Sequence, residues 1–210
     1  MAEKVHQKSA AHILARSPGP SYQDLLDQEV NPVPQSLRDN TNPYLGSENL
    51  SVDRYLSREF HEKEVAHMWQ RTWQAVCRET EVGAPGDTHV YDITRFSIIV
   101  TRTAAGKLKA FRNACLHRGR QLVDKNGNYE KFRCPYHAFT WSLEGDFKWA
   151  PCKWDFPHIK DETFGLPEVQ VDTWGGWVFI NMDLDAPSLQ DYLGVLPSHF
   201  ERWKPENGYK

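Results

Sequence analysis

The sequence predicts a mainly β domain, an antiparallel sandwich or barrel with a short helical segment in front of it. Seven short runs between residues 73 and 182 are rich in β-branched and aromatic residues, which favour extended strands. Glycine, proline, asparagine and aspartate separate the runs, as in Glu144-Gly145-Asp146, and these residue types mark turns. The predicted strands are 73–78, 87–93, 96–102, 108–113, 130–134, 139–143 and 176–182. Many short strands at close spacing are typical of a small antiparallel sandwich or barrel.

Length and composition exclude several classes of protein. The chain has 210 residues, 40% of them hydrophobic, and a formal net charge of −3, so it can bury a core and is not disordered throughout. The mild acidity argues against a nucleic-acid binder, and no apolar run approaches the about 20 residues that span a membrane. The first residues lack the apolar core of a secretory signal, from which we expect a cytoplasmic location. Four cysteines do not make a disulfide scaffold.

Residues 1–47 are predicted to form an extended N-terminal arm. Five prolines interrupt this stretch, and proline does not continue a helix. One short helix is expected around 22–26, and the arm either lies over another surface or is a disordered tail. Residues 48–185 are expected to form the main domain with its helical lead-in, and 186–210 a separate C-terminal stretch.

The lead-in is predicted to be a helix over residues 57–72. Ser57 is a suitable N-cap residue, and Val65, Met68 and Trp69 are spaced so that they share one face. His61 and His67 do not share a side of such a helix, which indicates surface histidines rather than a ligand pair.

Two short Cys–His pairs carry the chemistry of the chain. Cys115 and His117 form the first pair, and Cys134 and His137 form the second, with residues 118–133 between them. Thiolate and imidazole are ligands that zinc and iron–sulfur centres prefer. Two such pairs on neighbouring hairpin loops can converge either on a [2Fe–2S] cluster with mixed ligands or on a Cys₂His₂ zinc site.

The residues next to the ligands are candidates for tuning the centre. Gly119 permits tight backbone turning and Pro135 stiffens the second loop, and loops of this kind let N–H groups approach cluster sulfides. Arg118 brings a positive charge beside His117. Tyr136 either places its hydroxyl near a ligand or packs in the core.

The pattern Cys-x-His followed by Cys-x-x-His resembles that of the Rieske iron–sulfur family. Respiratory and photosynthetic members carry two further cysteines at positions that here are Arg120 and Tyr136, so the resemblance is to the ferredoxin or oxygenase type. The wider sequence from about 44 to 200 looks like the N-terminal half of ring-hydroxylating oxygenase α subunits. The segments that carry this likeness are 57–73, 98–100, 109–113, 140–141 and Gly145. Ala138-Phe139 departs from the Gly-Trp that the family often has there.

The resemblance implies a Rieske-type antiparallel β fold and a [2Fe–2S] cluster. Cys115 and Cys134 would hold the buried iron, and His117 and His137 the outer iron. It also implies electrons from a reductase or ferredoxin, a trimer of α subunits, in some members a β subunit, and hydroxylation of an aromatic or similarly apolar substrate.

The resemblance also implies that residues 186–210 are the start of a truncated catalytic domain. The non-haem Fe(II) that activates O₂ in this family is expected outside this segment, so no catalytic residue is assigned here. After His137 only His158 and His199 remain, far apart in sequence, which does not fit a two-His–carboxylate site. The alternatives are a stand-alone Rieske electron carrier and a zinc-stabilised binding module.

Positive charge is concentrated around the motif. Residues 107–133 contain eight Lys and Arg against two acidic residues, a local net charge of +6, which favours a reduced, more negative cluster and an acidic electron donor; an ordinary solvated basic face is the alternative. Cys77 is expected in the core, and Cys152 is expected to pack there or to lie near the cluster. Trp174, Trp177 and Phe179 are expected in the core.

Overall fold

The computed structural model describes residues 19–39 and 48–208, which divide into a unit ending at Val52 and a unit beginning at Asp53. The first unit contains helices α1, Tyr22–Asp27, and α2, Gln35–Arg38. Ser21 caps α1 by accepting a hydrogen bond from the Asp24 N–H, so the helix expected around 22–26 is confirmed. The rest of the predicted arm, 1–18 and 40–47, lies outside the described residues.

The second unit begins with a helical lead-in, as expected. It consists of α3, Asp53–Leu56, and α4, Arg58–Glu64, and the chain continues as a π-helical turn over Val65–Trp69. Ser57 caps α4 by accepting from the Phe60 N–H. The predicted shared face is wrong at Met68, which is exposed while Val65 is buried, because the wider π turn changes the angular spacing of successive residues.

A seven-stranded antiparallel sheet forms the framework of the second unit. Its spatial order is β1-β10-β9-β4-β3-β2-β5. The strands are β1 Gln74–Arg78, β2 Asp87–Ile93, β3 Phe96–Arg102, β4 Leu108–Arg112, β5 Gly127–Asn128, β9 Glu168–Trp174 and β10 Trp177–Asn181. The mainly β, antiparallel class predicted from the sequence is confirmed.

A second, smaller sheet carries the second half of the motif. It joins β6 Phe132–Arg133, β7 Thr140–Trp141 and β8 Phe147–Trp149 in that order. Gly145 lies in the turn between β7 and β8 at φ +90°, and a Cβ there would collide with the Phe111 ring. This position therefore requires glycine for its backbone conformation and for its space.

The larger sheet separates two hydrophobic cores. Ile99 and Phe111 face the core that lies beneath the small sheet, whereas Ile98, Val100 and Ala110 face the other core. This division follows from the two-residue period of a strand, which sends successive side chains to opposite faces. The Cys–His motif belongs to the first core.

The structure corrects some of the expected details. β8 and β9 were not predicted, and Gly127–Asn128, which lies outside the predicted strands, pairs with β2. Cys77 is buried in β1, as expected. Trp177 was expected in the core but is 39% exposed; it lies next to the Gly175-Gly176 turn, and the buried Arg78 guanidinium is 5.0 Å from its ring centroid.

Arg78 holds the end of the second unit against the large sheet. The side chain is buried, and its guanidinium donates to the carbonyl oxygens of Gly175, Pro205, Glu206 and Gly208. The chain reaches this point through α5, Leu189–Leu193, and α6, Leu196–Phe200. Across the described part of the chain, no helix has the length and apolarity needed to cross a bilayer.

Candidate metal centre

Two loops of the same construction carry the four predicted ligands. In the first loop, Cys115 N–H donates to the Arg120 carbonyl and its own carbonyl accepts from Gly119 N–H, both at 2.8 Å. In the second, Cys134 N–H donates to the Phe139 carbonyl at 2.8 Å and its carbonyl accepts from Ala138 N–H at 2.9 Å. Each cysteine therefore begins a tight turn closed by two backbone hydrogen bonds.

The fourth residue after each cysteine has a left-handed backbone. Gly119 has φ +72° and Ala138 has φ +60°. The space around Gly119 is open, since a Cβ there would meet no atom within 4 Å, so glycine is required there by the backbone alone. Ala138 takes the same conformation with a Cβ, which is strained for an L-residue. The alanine that stands here in place of the family's frequent glycine therefore brings backbone strain into the second loop.

Asn113 fixes the segment that leaves the first loop. Its side-chain oxygen accepts from the N–H groups of Leu122 and Val123, and its amide nitrogen donates to the Val123 carbonyl and to Ser97 Oγ. All but the contact with Ser97 are buried. Asn113 was not among the predicted site residues, and its place just before the Cys-x-His pair was the only signal.

The two sulfur atoms lie side by side in the interior. Cys115 and Cys134 are 3% and 2% exposed, and their thiol groups are within hydrogen-bonding reach. Burial raises the pKa of the Cys115 thiol, and the Cys134 thiol acts in the same direction. The N–H groups of His117 and Arg118 donate to the Cys115 sulfur and partly oppose this rise in pKa.

The two imidazole rings meet nearer the surface. The ring centroids of His117 and His137 are 4.8 Å apart, edge to face, and both residues are half-buried. The Nδ1 atom of each ring is buried without a hydrogen-bond partner. Burial lowers the pKa of His117, with His137 and Arg118 acting in the same direction, so the His117 ring suits a neutral ligand role better than a charged one.

The donor set fits a two-iron cluster better than a single metal ion. Buried polar atoms normally have a hydrogen-bond partner. Two buried imidazole nitrogens without one, beside two buried thiols, therefore indicate atoms that serve as metal ligands. Nowhere in 19–39 and 48–208 do three His, Cys, Asp or Glu side chains gather about one point as a single ion would require. Sulfur donors paired on one side and nitrogen donors on the other match a Rieske cluster.

An aromatic layer lies beneath the loops. Phe139 is fully buried and stacks on His117 with a centroid distance of 4.6 Å and an interplanar angle of 11°. Phe156 contacts both of these rings edge to face. Sequence reasoning assigned no role to these two phenylalanines. The layer keeps water from the inner side of the site.

The predicted neighbours of the ligands lie around the two loops. Arg118 and Pro135 are exposed, and the Arg118 guanidinium lies 5.7 Å from the Tyr136 ring centroid. Tyr136 stacks on His137 at 3.8 Å but is 61% exposed, so its alternative role in core packing is wrong. The expected packing of Cys152 is also wrong, because the residue is exposed at a left-handed turn, φ +49°.

Comparisons with known proteins agree with this donor set. The family model of the Rieske [2Fe-2S] domain matches residues 72–160. The glycine betaine monooxygenase oxygenase subunit of Pseudomonas aeruginosa is 28% identical over 183 residues, 87% of this chain and 42% of that protein. The biphenyl 2,3-dioxygenase α subunit of Rhodococcus jostii is 30% identical over 142 residues, 67% of this chain and 31% of that protein.

Solved structures show the same likeness. The quaternary ammonium Rieske monooxygenase CntA, in complex with its substrate gamma-butyrobetaine, aligns with a TM-score of 0.68 at 28% identity, over 72% of this chain and 44% of its own. Naphthalene 1,2-dioxygenase from Rhodococcus sp., bound to indole, aligns with a TM-score of 0.64 at 32% identity, over 68% of this chain and 33% of its own.

The chain spans less than half the length of these relatives. The matched segment contains both Cys–His loops and the small sheet. A Rieske domain implies a [2Fe–2S] cluster. Residues 72–160 are therefore a Rieske [2Fe–2S] domain, and the relatives of the chain are oxygenase subunits of Rieske oxygenases.

Proposed function

We propose that this chain is the electron-transfer portion of a Rieske oxygenase α subunit. The observation that carries the proposal is the pair of buried, unpartnered Nδ1 atoms of His117 and His137 beside the two buried thiols of Cys115 and Cys134. When bound, a Rieske cluster takes up and releases one electron at a time.

The four ligands divide by depth. Cys115 and Cys134, almost fully buried, would hold the inner iron, and the half-buried His117 and His137 would hold the outer one. The imidazoles then provide the short route between the cluster and the surface. The residues around them exclude water on the inner side and leave the outer side accessible.

The positive charge of residues 107–133 supports a negatively charged electron donor, a reductase or a ferredoxin. Arg118, Lys125, Lys131 and Arg133 are exposed, although Arg120 is paired with Asp124 at 2.9 Å. Exposed cations on the segment that carries the two Cys–His pairs would favour the reduced cluster and steer an acidic partner. Reduction rates that fall steeply with added salt would support this, and rates independent of salt would contradict it.

The rest of the proposal concerns the whole protein. The oxygenase would carry its non-haem Fe(II) in a catalytic domain that begins near residue 186, assemble as a trimer with or without a β subunit, and hydroxylate its substrate. Residues 1–47 would be an arm and 48–185 the Rieske domain. The cytoplasmic location stays a prediction.

Two substrate classes are open to test. The predicted aromatic substrate is supported by the biphenyl and naphthalene dioxygenase relatives. A quaternary ammonium substrate is the second candidate, because the match to the glycine betaine monooxygenase subunit covers 87% of this chain. Product analysis of the full-length oxygenase with both substrate classes separates the two.

Metal analysis of the purified chain tests the central proposal. We expect equal amounts of iron and acid-labile sulfide, and a Rieske-type EPR signal after reduction. Cys115→Ser and His117→Ala should abolish both, whereas the matched controls Cys152→Ser and His158→Ala, at exposed positions, should retain them. A colourless chain with one zinc and no sulfide would establish the zinc module instead.

A further inference from the structure

The orientation of the His137 ring is not fixed by a hydrogen bond at its inward nitrogen. Nδ1 of His137 is buried and has no partner. The torsion that turns an imidazole about its Cβ bond has a broad energy profile. Before a metal is bound at Nδ1, the contacts that the structure shows for holding the plane of this imidazole are those with neighbouring rings.

The two histidines differ in the ring contacts they have. His117 touches Phe139, Phe156 and His137, and the buried Phe139 stacks almost parallel to it. For His137 the ring contacts are the edge of His117 and the face of Tyr136, whose centroid is 3.8 Å away at an angle of 29°. Tyr136 is thus the stacked support of His137.

Tyr136 is held from the other loop. The Arg118 guanidinium, on the first loop, lies 5.7 Å from the Tyr136 ring centroid, a distance at which a cation is attracted to an aromatic face. Tyr136 itself is 61% exposed. Its place is therefore not explained by burial of its ring in the core, and the two contacts link the loops at the solvent edge.

We propose that Tyr136 is a positioning residue for His137. Its ring fixes the plane of the imidazole so that Nδ1 stays directed inward, and Arg118 keeps the Tyr136 ring in place. This inference rests on the proposed assignment of His137 as a ligand. Without the ring, His137 would spend less time in the ligating orientation, by roughly two- to tenfold, the range expected for one aromatic pair.

The test uses the cluster-loaded chain and two substitutions at one position. Tyr136→Leu removes the ring, and the matched control Tyr136→Phe removes only the hydroxyl. Two quantities are measured: the rate of iron loss to a chelator, and the nitrogen hyperfine couplings of the two imidazoles by pulsed EPR. Tyr136→Leu should lose iron roughly two- to tenfold faster and broaden the couplings of one imidazole, whereas Tyr136→Phe should match the wild type.

The outcomes separate the inference from the ligand assignment. A loaded Tyr136→Leu chain with wild-type iron loss and couplings overturns the positioning role, and equal changes in both variants assign the effect to the hydroxyl and overturn it too. A wild-type chain that carries no cluster overturns the ligand assignment instead. If Tyr136→Leu does not fold, Tyr136→Gln, which also lacks a ring, is compared in the same way.

Discussion

Asn113 and Val123 are joined by two buried hydrogen bonds that run in opposite directions. The Asn113 side-chain oxygen accepts from the Val123 N–H at 3.1 Å, and its amide nitrogen donates to the Val123 carbonyl at 2.7 Å. One side chain thereby satisfies both backbone groups of a buried residue. The end of the first cluster loop is held in place by this pair.

Replacing Asn113 should destabilise the domain. Asn113→Ala leaves the N–H groups of Leu122 and Val123 and the Val123 carbonyl without these partners in the interior. We expect the free energy of unfolding to fall by about 2–4 kcal/mol, measured by urea denaturation. Asn207→Ala, at an exposed position, is the control and should stay within about 0.5 kcal/mol. Equal effects of the two substitutions would show that the bonds of Asn113 add no stability.

Ala138→Gly should stabilise the protein. Ala138 has φ +60°, a conformation that an L-residue adopts with strain. Glycine removes this strain, but it also makes the unfolded chain more flexible, which offsets part of the gain in stability. A net gain of about 0.5–1 kcal/mol is expected, seen as a higher Tm. Ala104→Gly, at an exposed turn position without a positive φ, should lower Tm or leave it unchanged. A decrease in Tm for Ala138→Gly would contradict the assignment of strain.

Arg78→Met should release the end of the second unit. The substitution removes the guanidinium bonds to Pro205, Glu206 and Gly208, and charge-assisted bonds are the stronger ones. Loss of even one, worth about 1.5 kcal/mol, should speed tryptic cleavage after the exposed Arg202 roughly tenfold. Arg95→Met removes an exposed ion pair with Glu62 and a cation–π contact with Phe96, both away from Pro205–Gly208, and should leave that rate unchanged. Unchanged cleavage in Arg78→Met would show that other contacts hold this segment.

The iron-free chain should lose stability in alkaline solution. Burial raises the pKa of the Cys115 thiol above its ordinary value of 9.0. The folded state therefore keeps a proton that the unfolded state has released, so this contribution is complete below pH 9 and is lost as the pH rises toward the folded pKa.

Urea unfolding of the iron-free chain at pH 7.5 and 9.5 measures this loss. Cys115→Ser should reduce the difference between the two pH values, whereas Cys152→Ser should keep it. A Cys115→Ser chain with the full difference would assign the effect to other groups.

Local sequence patterns predicted most strands of the large sheet, because short β-branched runs between turn residues have few other solutions. β9 was missed, although Glu168–Trp174 alternates polar residues (Glu168, Gln170, Asp172) with apolar ones, a pattern that is typical of a strand with one buried face. The four candidate ligands could be named from spacing alone. Their surroundings could not, because Phe139 and Phe156 contact His117 through tertiary packing. The left-handed turn at Ala138 could not be predicted, because alanine rarely adopts a positive φ and its presence in a sequence does not indicate one.

The large sheet has a separate core on each face, with Ile99 and Phe111 on the motif side and Ile98 and Val100 on the other. Heating should therefore not act on the two sides equally. The motif side contains very short strands and gains order from its bound inorganic group, so its melting should coincide with bleaching of the visible colour. The large sheet, which has the longest strand pairings and keeps its opposite core, should still give a β-type circular dichroism signal at that temperature.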